Sequence, residues 1–159
     1  MKKIALSLFA IALSAGIFAE PTNISGNTTV KTIITDDVVT SLKVYKNVEV
    51  ILTNNELNEI QIVGETTDVE NVTVKITRGE LTVTGLPGAL NGDKIVVYVP
   101  SKSLASVYIH GSSNVTSTGS LNNETIDVTI NGNGKSDIKS TGLINVNTIG
   151  DFPMEPPIN

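Results

Sequence analysis

The chain has 159 residues, a formal net charge of −5, no cysteine and no tryptophan. Without cysteine, the protein has no disulfides, thiolate metal sites, iron–sulfur clusters or cysteine nucleophile. The acidic balance, with no cluster of lysine and arginine, lacks the positive surface that binding to nucleic acids requires.

Residues 1–19 predict a secretory signal peptide. Lys2 and Lys3 precede an apolar stretch, and the small residue Ala19 provides a cleavage point. The apolar stretch is short for a membrane span, which takes about 20 residues, so we expect no span to remain after cleavage. Removal of the two lysines lowers the formal charge from −5 to −7. We therefore expect export to the periplasm, the outer surface or the medium.

The rest of the chain predicts one all-β domain, residues 20–150, followed by a proline-rich flexible tail, residues 151–159. Valine, isoleucine and leucine alternate with polar residues at a period of two, which is typical of half-buried strands. In chain order, the predicted strands are residues 30–34, 42–45, 48–52, 60–62, 72–76, 81–83, 95–99, 107–109 and 126–130.

A short unit, apolar-x-apolar-x-Gly, recurs along the chain. It ends at Gly64, Gly85, Gly111 and Gly132, and a weaker copy ends at Gly150. The glycines lie roughly twenty residues apart, which is about the length of one coil of a β-solenoid. Each strand would bury its apolar side only by stacking on the next coil.

This spacing predicts a right-handed parallel β-helix, or solenoid, as the fold class. Stacked coils would place Ile62, Val83, Ile109 and Ile130 in one internal row, and the part of the chain before about Val50 would cap the stack.

An antiparallel β-sandwich or a mixed β assembly is the alternative, because turn signals also recur at hairpin spacing. Asp36-Asp37 and Arg78-Gly79 each separate two β-like segments and are candidate hairpin turns.

Several segments, in their order along the chain, resemble the head domain of auto-transporter adhesins called the GIN domain, a family of exported bacterial proteins. The segments are Tyr45–Ile51, Ile60–Gly64, Gly79–Val83, Ile95–Pro100, Leu104–Ser112 and Ile130–Gly134. The resemblance covers about residues 44–150 and implies a β-helix-like fold at or beyond the cell envelope. It implies adhesin-like binding and supplies no catalytic residues.

His110 is the only histidine, and by residue type it could form a catalytic triad with Ser112 and Asp127. No nucleophile-elbow motif accompanies it, and its outward phase beside a turn favours a solvated histidine. We therefore expect a protein that is not an enzyme.

Two oxygen-rich turns are the candidates for a calcium site, since calcium takes oxygen ligands. They would contribute Asp93 and Asp137, but Lys135 lies inside the second turn. We expect no cofactor and no resident metal, with these two aspartates as the ligands if calcium binds.

Tyr98, Tyr108 and His110 form the candidate binding surface, with Tyr98 and Tyr108 predicted on strands that could be neighbours. The sequence thus predicts an exported, non-enzymatic envelope or surface interaction module that binds a protein or a glycan. A hydrolase acting on polysaccharide and a structural envelope subunit that self-associates are the alternatives. The oligomeric state stays open.

Overall fold

The computed structural model describes residues 28–55, 57–85 and 95–150. Its strands are β1 (Thr28–Ile34), β2 (Ser41–Tyr45), β3 (Glu49–Thr53), β4 (Glu59–Glu65), β5 (Thr73–Thr77), β6 (Glu80–Thr84), β7 (Val96–Pro100), β8 (Ser106–His110), β9 (Asn114–Leu121), β10 (Thr125–Asn131), β11 (Lys135–Ser140) and β12 (Leu143–Ile149), and its helix is α1 (Thr66–Asn71). The predicted signal peptide and the predicted tail lie outside the described residues.

The strands form two six-stranded sheets. Sheet A has the order β1-β4-β7-β3-β9-β11, and sheet B has the order β12-β10-β8-β2-β6-β5. From β6 onward, successive strands alternate between the two sheets. Because side chains alternate along each strand, the valine, isoleucine and leucine positions face inward and form one shared core. The predicted all-β content is therefore present.

The predicted parallel β-helix is wrong. A β-helix stacks parallel coils in sequence order, whereas here β4 runs antiparallel to both β1 and β7, and β5 runs antiparallel to β6. Strand β2 also lies between β8 and β6, so the order along the chain is not the order in the sheet. The mixed β assembly, which the sequence left as an alternative, fits the structure.

One hairpin turn explains why β5 and β6 pair antiparallel instead of stacking as parallel coils. Arg78 and Gly79 have φ angles of 53° and 78°, and positive φ at both central residues is the requirement of a type I′ turn. This turn reverses the chain and pairs β5 with β6. Asp36-Asp37, the other candidate turn, forms no hairpin, because β1 pairs with β4 instead.

The predicted N-terminal cap is also wrong. Strands β2 and β3 are internal strands of sheets B and A, and each has parallel partners on both sides. Leu42 and Val44 of β2 are fully buried, as are Val50 and Leu52 of β3. This early segment therefore provides the centre of the core.

The predicted internal row is correct only in part. Strands β8 and β10 are parallel with Ile109 opposite Ile130, and Val83 joins the same row through Val44 of β2. Ile62 belongs to the other sheet, where it pairs with Val97. The repeat therefore marks inward-facing positions in both sheets and not one row.

Two of the repeat glycines hold stacked turns together. Gly111 and Gly132 have φ angles of 79° and 109°, which side chains other than glycine rarely adopt. The Gly111 N–H donates to the Asn131 carbonyl at 2.9 Å. A Cβ on Gly132 would come within 3.1 Å of the Gly111 carbonyl oxygen, so the turns after β8 and β10 stack closely.

Asn123 joins two loops at the opposite end of the same strands. Its Nδ2 donates to the carbonyls of Ser101 at 2.7 Å and Leu104 at 2.8 Å. The Asn123 side chain thereby ties the loop before β10 to the loop before β8. The residue is only 7% exposed, so these carbonyls have little water to replace the amide.

Candidate functional site

The outer surface of sheet B carries a cluster of three aromatic rings, Tyr45, Tyr108 and His110, which we call the aromatic face. The ring centroids of Tyr45 and Tyr108 are 6.0 Å apart, and those of Tyr45 and His110 are 5.8 Å apart. The rings of Tyr108 and His110 lie 6.3 Å apart and are nearly parallel, with an interplanar angle of 9°. Aromatic rings interact favourably at such separations.

Strand alternation and register bring these rings together. Val44, Val107 and Ile109 point into the core, so the residues that alternate with them point outward. Tyr45 lies opposite His110 in the parallel pairing of β2 with β8. The outward phase of Tyr45 could be read from the sequence, but its neighbours could not, because they depend on β2 entering the sheet beside β8.

Polar groups surround the aromatic face. Asn131 on β10 lies opposite His110, and its Nδ2 donates to the Tyr108 hydroxyl oxygen at 3.1 Å. This hydrogen bond restrains the tyrosine ring in one orientation. Threonine side chains on the flanking strands share the same outward face, namely Thr82, Thr84 and Thr129.

A salt bridge borders the aromatic face on the side of β6. The Lys43 Nζ lies 2.8 Å from the Glu80 carboxylate, and both side chains are more than a third exposed, at 37% and 42%. Lys43 also lies opposite Tyr108 in the sheet. The hydrogen bond to Glu80 is the main cause that raises the pKa of Lys43 above its ordinary value of 10.5, with a smaller opposing effect of desolvation.

We expect a Glu80→Gln substitution to lower the pKa of Lys43 toward 10.5. The reason is that a neutral amide no longer stabilises the charged ammonium. Since the pKa is raised in the folded state, the stabilisation is present at pH values below 10.5 and is lost as the pH rises through the folded pKa. Titration of the Lys43 side chain by NMR in both proteins measures the shift, with Lys75 as the internal control. An unchanged Lys43 pKa in the variant would contradict the assignment.

Tyr98, the third residue of the predicted binding surface, lies elsewhere. It belongs to β7 in sheet A, opposite Ile51 and Gln61, whereas Tyr108 belongs to β8 in sheet B. The prediction that their strands are neighbours is therefore wrong. The structure brings together Tyr108 and His110 and adds Tyr45.

The structure does not bring together His110 and Asp127, two residues of the catalytic triad considered from the sequence. Asp127 lies opposite Ser106 at the start of β8, whereas His110 ends that strand. Four residues of strand separate these positions, roughly 13 Å at 3.3 Å per residue. The Asp127 carboxylate instead accepts a hydrogen bond from Asn145 Nδ2 at 2.8 Å.

The structure describes only one of the two candidate calcium ligands. Asp137 lies on β11 as an exposed residue opposite Thr116, and Asp93 lies outside the described residues. Within residues 28–55, 57–85 and 95–150, no group of three histidine or acidic side chains is placed to hold a metal ion. The same part of the chain contains no helix with the length and hydropathy needed to span a bilayer.

These features define an all-β domain of two mixed six-stranded sheets with an exposed aromatic face on one of them. The family described as "Putative auto-transporter adhesin, head GIN domain" matches residues 39–151. That match covers more than half of the chain, and the protein belongs to this family, as the resemblance predicts. Among curated proteins, no relative matches the chain.

Solved structures share the fold. A putative adhesin from Parabacteroides merdae has 21% identity and a TM-score of 0.53, over 80% of this chain and 59% of its own. A putative adhesin from Parabacteroides distasonis has 16% identity and a TM-score of 0.53, over 79% of this chain and 67% of its own. A putative lipid binding protein from the same species has 11% identity and a TM-score of 0.50, over 80% of this chain and 61% of its own. The chain thus spans about three fifths to two thirds of the length of these proteins.

Proposed function

We propose that this protein is an exported, non-enzymatic interaction module of the cell envelope or surface, and that its aromatic face binds a glycan. Membership of a family of adhesin heads supports a role in surface binding. The observation that carries the proposal is the cluster of Tyr45, Tyr108 and His110 on the open side of sheet B.

The chemistry of the aromatic face suits a sugar. A pyranose ring has an apolar C–H surface that packs on an aromatic ring, and its hydroxyl groups need donors and acceptors at the rim. The aromatic rings supply the surface on which the C–H groups of the sugar pack. Hydrogen-bonding groups at the edge of the cluster are the Asn131 amide, the Lys43 ammonium and the Glu80 carboxylate.

The sequence and the family support the proposed location and processing of the protein. Export of adhesin heads to the envelope agrees with a signal peptide at residues 1–19, which would leave residues 20–150 as the binding domain and residues 151–159 as a tail. The separation of His110 from Asp127 supports a binding role over catalysis.

One of the solved neighbours carries a lipid-binding description. On this chain, the hydrogen-bonding groups around the rings favour a polyhydroxylated ligand over an acyl chain, because an acyl chain would displace water from those groups without replacing its hydrogen bonds. Hydrolysis of a polysaccharide would require paired acids beside the bound sugar, whereas Glu80, the acid at the border of the aromatic face, is paired with Lys43.

We expect Tyr108→Ala to weaken glycan binding about fivefold, since an aromatic contact contributes about 1 kcal/mol and a factor of ten corresponds to about 1.4 kcal/mol. Saturation-transfer NMR with a panel of neutral and N-acetylated oligosaccharides identifies the ligand, and calorimetry with the best of them measures the affinity. Tyr108→Phe removes the hydroxyl bonded to Asn131 but keeps the ring, and we expect it to retain most of the binding.

Tyr98→Ala is the matched control, because it removes the same side chain from the other sheet. The proposal requires that Tyr98→Ala binds as tightly as the parent protein. Equal losses in both variants, or no signal from any oligosaccharide, would overturn the assignment of the aromatic face.

A further inference from the structure

The strands β11 and β12 form an open end of the molecule, which we call the C-terminal edge. Strand β11 is the last strand of sheet A and pairs only with β9, and β12 is the first strand of sheet B and pairs only with β10, among the described strands. Within residues 28–55, 57–85 and 95–150, no further layer of strands covers the core at this end.

Apolar side chains are exposed at this edge. Ile138 and Ile144 are only partly buried where they pack on the end of the core. On β12, Leu143, Val146 and Ile149 are 60%, 58% and 50% exposed. Three of the large apolar residues exposed in the described part of the chain thus lie on one strand.

The backbone of β12 also offers hydrogen bonds outward. The Leu143 N–H donates to the Glu124 carbonyl at the start of β10. Successive residues of a strand direct their peptide groups to opposite sides, so those of Ile144, Val146 and Thr148 point away from β10. The strand contains no charged residue, no proline and no glycine.

The strands at the other end of the molecule are protected. The edge strand of sheet A, β1, carries Lys31 opposite the buried Ile62. The edge strand of sheet B, β5, carries Lys75 at its centre. A lysine on an edge strand discourages pairing with another chain, and β12 lacks this protection.

We propose that the C-terminal edge is the interface with a second copy of this chain, related by a two-fold axis perpendicular to both sheets. The axis passes beside Val146, so that β12 pairs antiparallel with the β12 strand of the second copy. In this register Val146 lies opposite its own copy, Leu143 lies opposite Ile149, and Ile144 lies opposite Thr148. The outward peptide groups then pair, and all three exposed apolar residues of β12 meet apolar partners.

The same axis gives β11 a matching register. Ile138 of β11 and Val146 of β12 lie at nearly equal distances along the chain from the turn at residues 141–142, and both direct their side chains toward the core. Centring β11 on Ile138 places Asp137 opposite Lys139 of the second copy, and Lys139 opposite Asp137. Opposite charges directly across an antiparallel pair are stabilising.

The charges favour this two-fold arrangement over head-to-tail stacking. In a head-to-tail contact, β11 would meet β1 of the next copy and β12 would meet β5. Neither β1 nor β5 contains an acidic residue, and Lys31 lies on the inward side of β1, opposite Ile62. The outward-facing Lys135, Asp137 and Lys139 would therefore meet no side chain of opposite charge. In the self-pairing register, Asp137 and Lys139 of one copy lie opposite Lys139 and Asp137 of the other, and the assembly is a closed dimer.

The protein is expressed with its own N-terminal sequence and purified. Sedimentation velocity over a range of protein concentrations then tests the inference. We expect a monomer–dimer equilibrium that Val146→Lys shifts at least tenfold toward the monomer, because it places two ammonium groups opposite each other at the axis. Val30→Lys is the matched control, since Val30 is 57% exposed on β1 and Val146 is 58% exposed on β12. Circular dichroism melting checks that each variant is folded.

A charge reversal tests the register. Asp137→Lys should weaken the dimer, and the double variant Asp137→Lys, Lys139→Glu should restore it. A monomer at all concentrations, or a dimer that Val146→Lys leaves intact, would overturn the inference. Open-ended polymers that both Val146→Lys and Val30→Lys disrupt would show head-to-tail stacking and would also overturn it. None of these outcomes depends on whether the aromatic face binds a glycan.

Discussion

Replacing Ile109 by alanine is expected to lower the free energy of unfolding by about 2–5 kcal/mol, the usual range for such a truncation in a core. Ile109 is fully buried on β8, between Val44 of β2 and Ile130 of β10. Its side chain also packs over Gly134, where an added Cβ would lie 2.6 Å from the Ile109 Cγ2. The site is therefore surrounded by β-sheet and a close turn, which cannot collapse into the cavity.

Ile34→Ala provides the control for this truncation. Ile34 ends the edge strand β1 and is 76% exposed, so the same substitution should change stability by no more than about 0.5 kcal/mol. Chemical denaturation of both variants measures the difference. Equal effects at Ile109 and Ile34 would show that β8 does not lie at the centre of sheet B.

Replacing Asn123 by alanine is expected to lower the free energy of unfolding by about 2–4 kcal/mol. The amide donates to two carbonyls in a region with little access to water. The Ser101 carbonyl keeps the Leu104 N–H as a donor, so its lost hydrogen bond costs about 0.5–1.5 kcal/mol, whereas the loss of the donor to the buried Leu104 carbonyl costs about 1–3 kcal/mol. The loops before β8 and β10 would also lose their connection. Denaturation at neutral pH measures the loss.

Asn123→Asp makes the same site sensitive to pH. A carboxylate would face the carbonyl oxygens of Ser101 and Leu104, and this arrangement raises the pKa of the introduced acid in the folded state. The variant should therefore be less stable than Asn123→Ala at neutral pH and should regain stability as the pH falls below the raised pKa.

Asn145→Ala is the control for both Asn123 variants. Asn145 donates one hydrogen bond to Asp127 on the surface of sheet B, where water replaces the lost partner, so we expect a change within about 0.5 kcal/mol. A comparable loss at Asn145 and Asn123 would contradict the role of Asn123 as a buried link between loops.

The proposed dimer has a consequence for binding that depends on the proposed glycan function. A two-fold axis perpendicular to the sheets keeps both copies of sheet B facing the same way, so both aromatic faces point in one direction. The β8 strands would be five strand spacings apart, about 24 Å at 4.8 Å each. Two weak sites so arranged on one surface bind a repeating polymer or a dense glycan layer with increased avidity.

Local patterns in the sequence were sufficient to predict the all-β class, the inward positions of the strands and the adhesin-head family. Period-two alternation identifies Ile109 and Ile130 as core residues in any sheet. The turn at Arg78-Gly79 is likewise local, because two adjacent positive φ angles determine it.

The partners of each strand were not encoded in such local patterns. Repeat spacing near twenty residues predicts a parallel stack, but β2 enters sheet B between β8 and β6, a pairing between segments distant in sequence. Any strand with the right alternation satisfies the same hydrogen bonds, so the choice among partners depends on packing across the whole core. That choice separates Tyr98 from Tyr108 and brings Tyr45 beside His110. It also gives β12 a partner on one side only among the described strands. The candidate site and the C-terminal edge are therefore products of the tertiary structure.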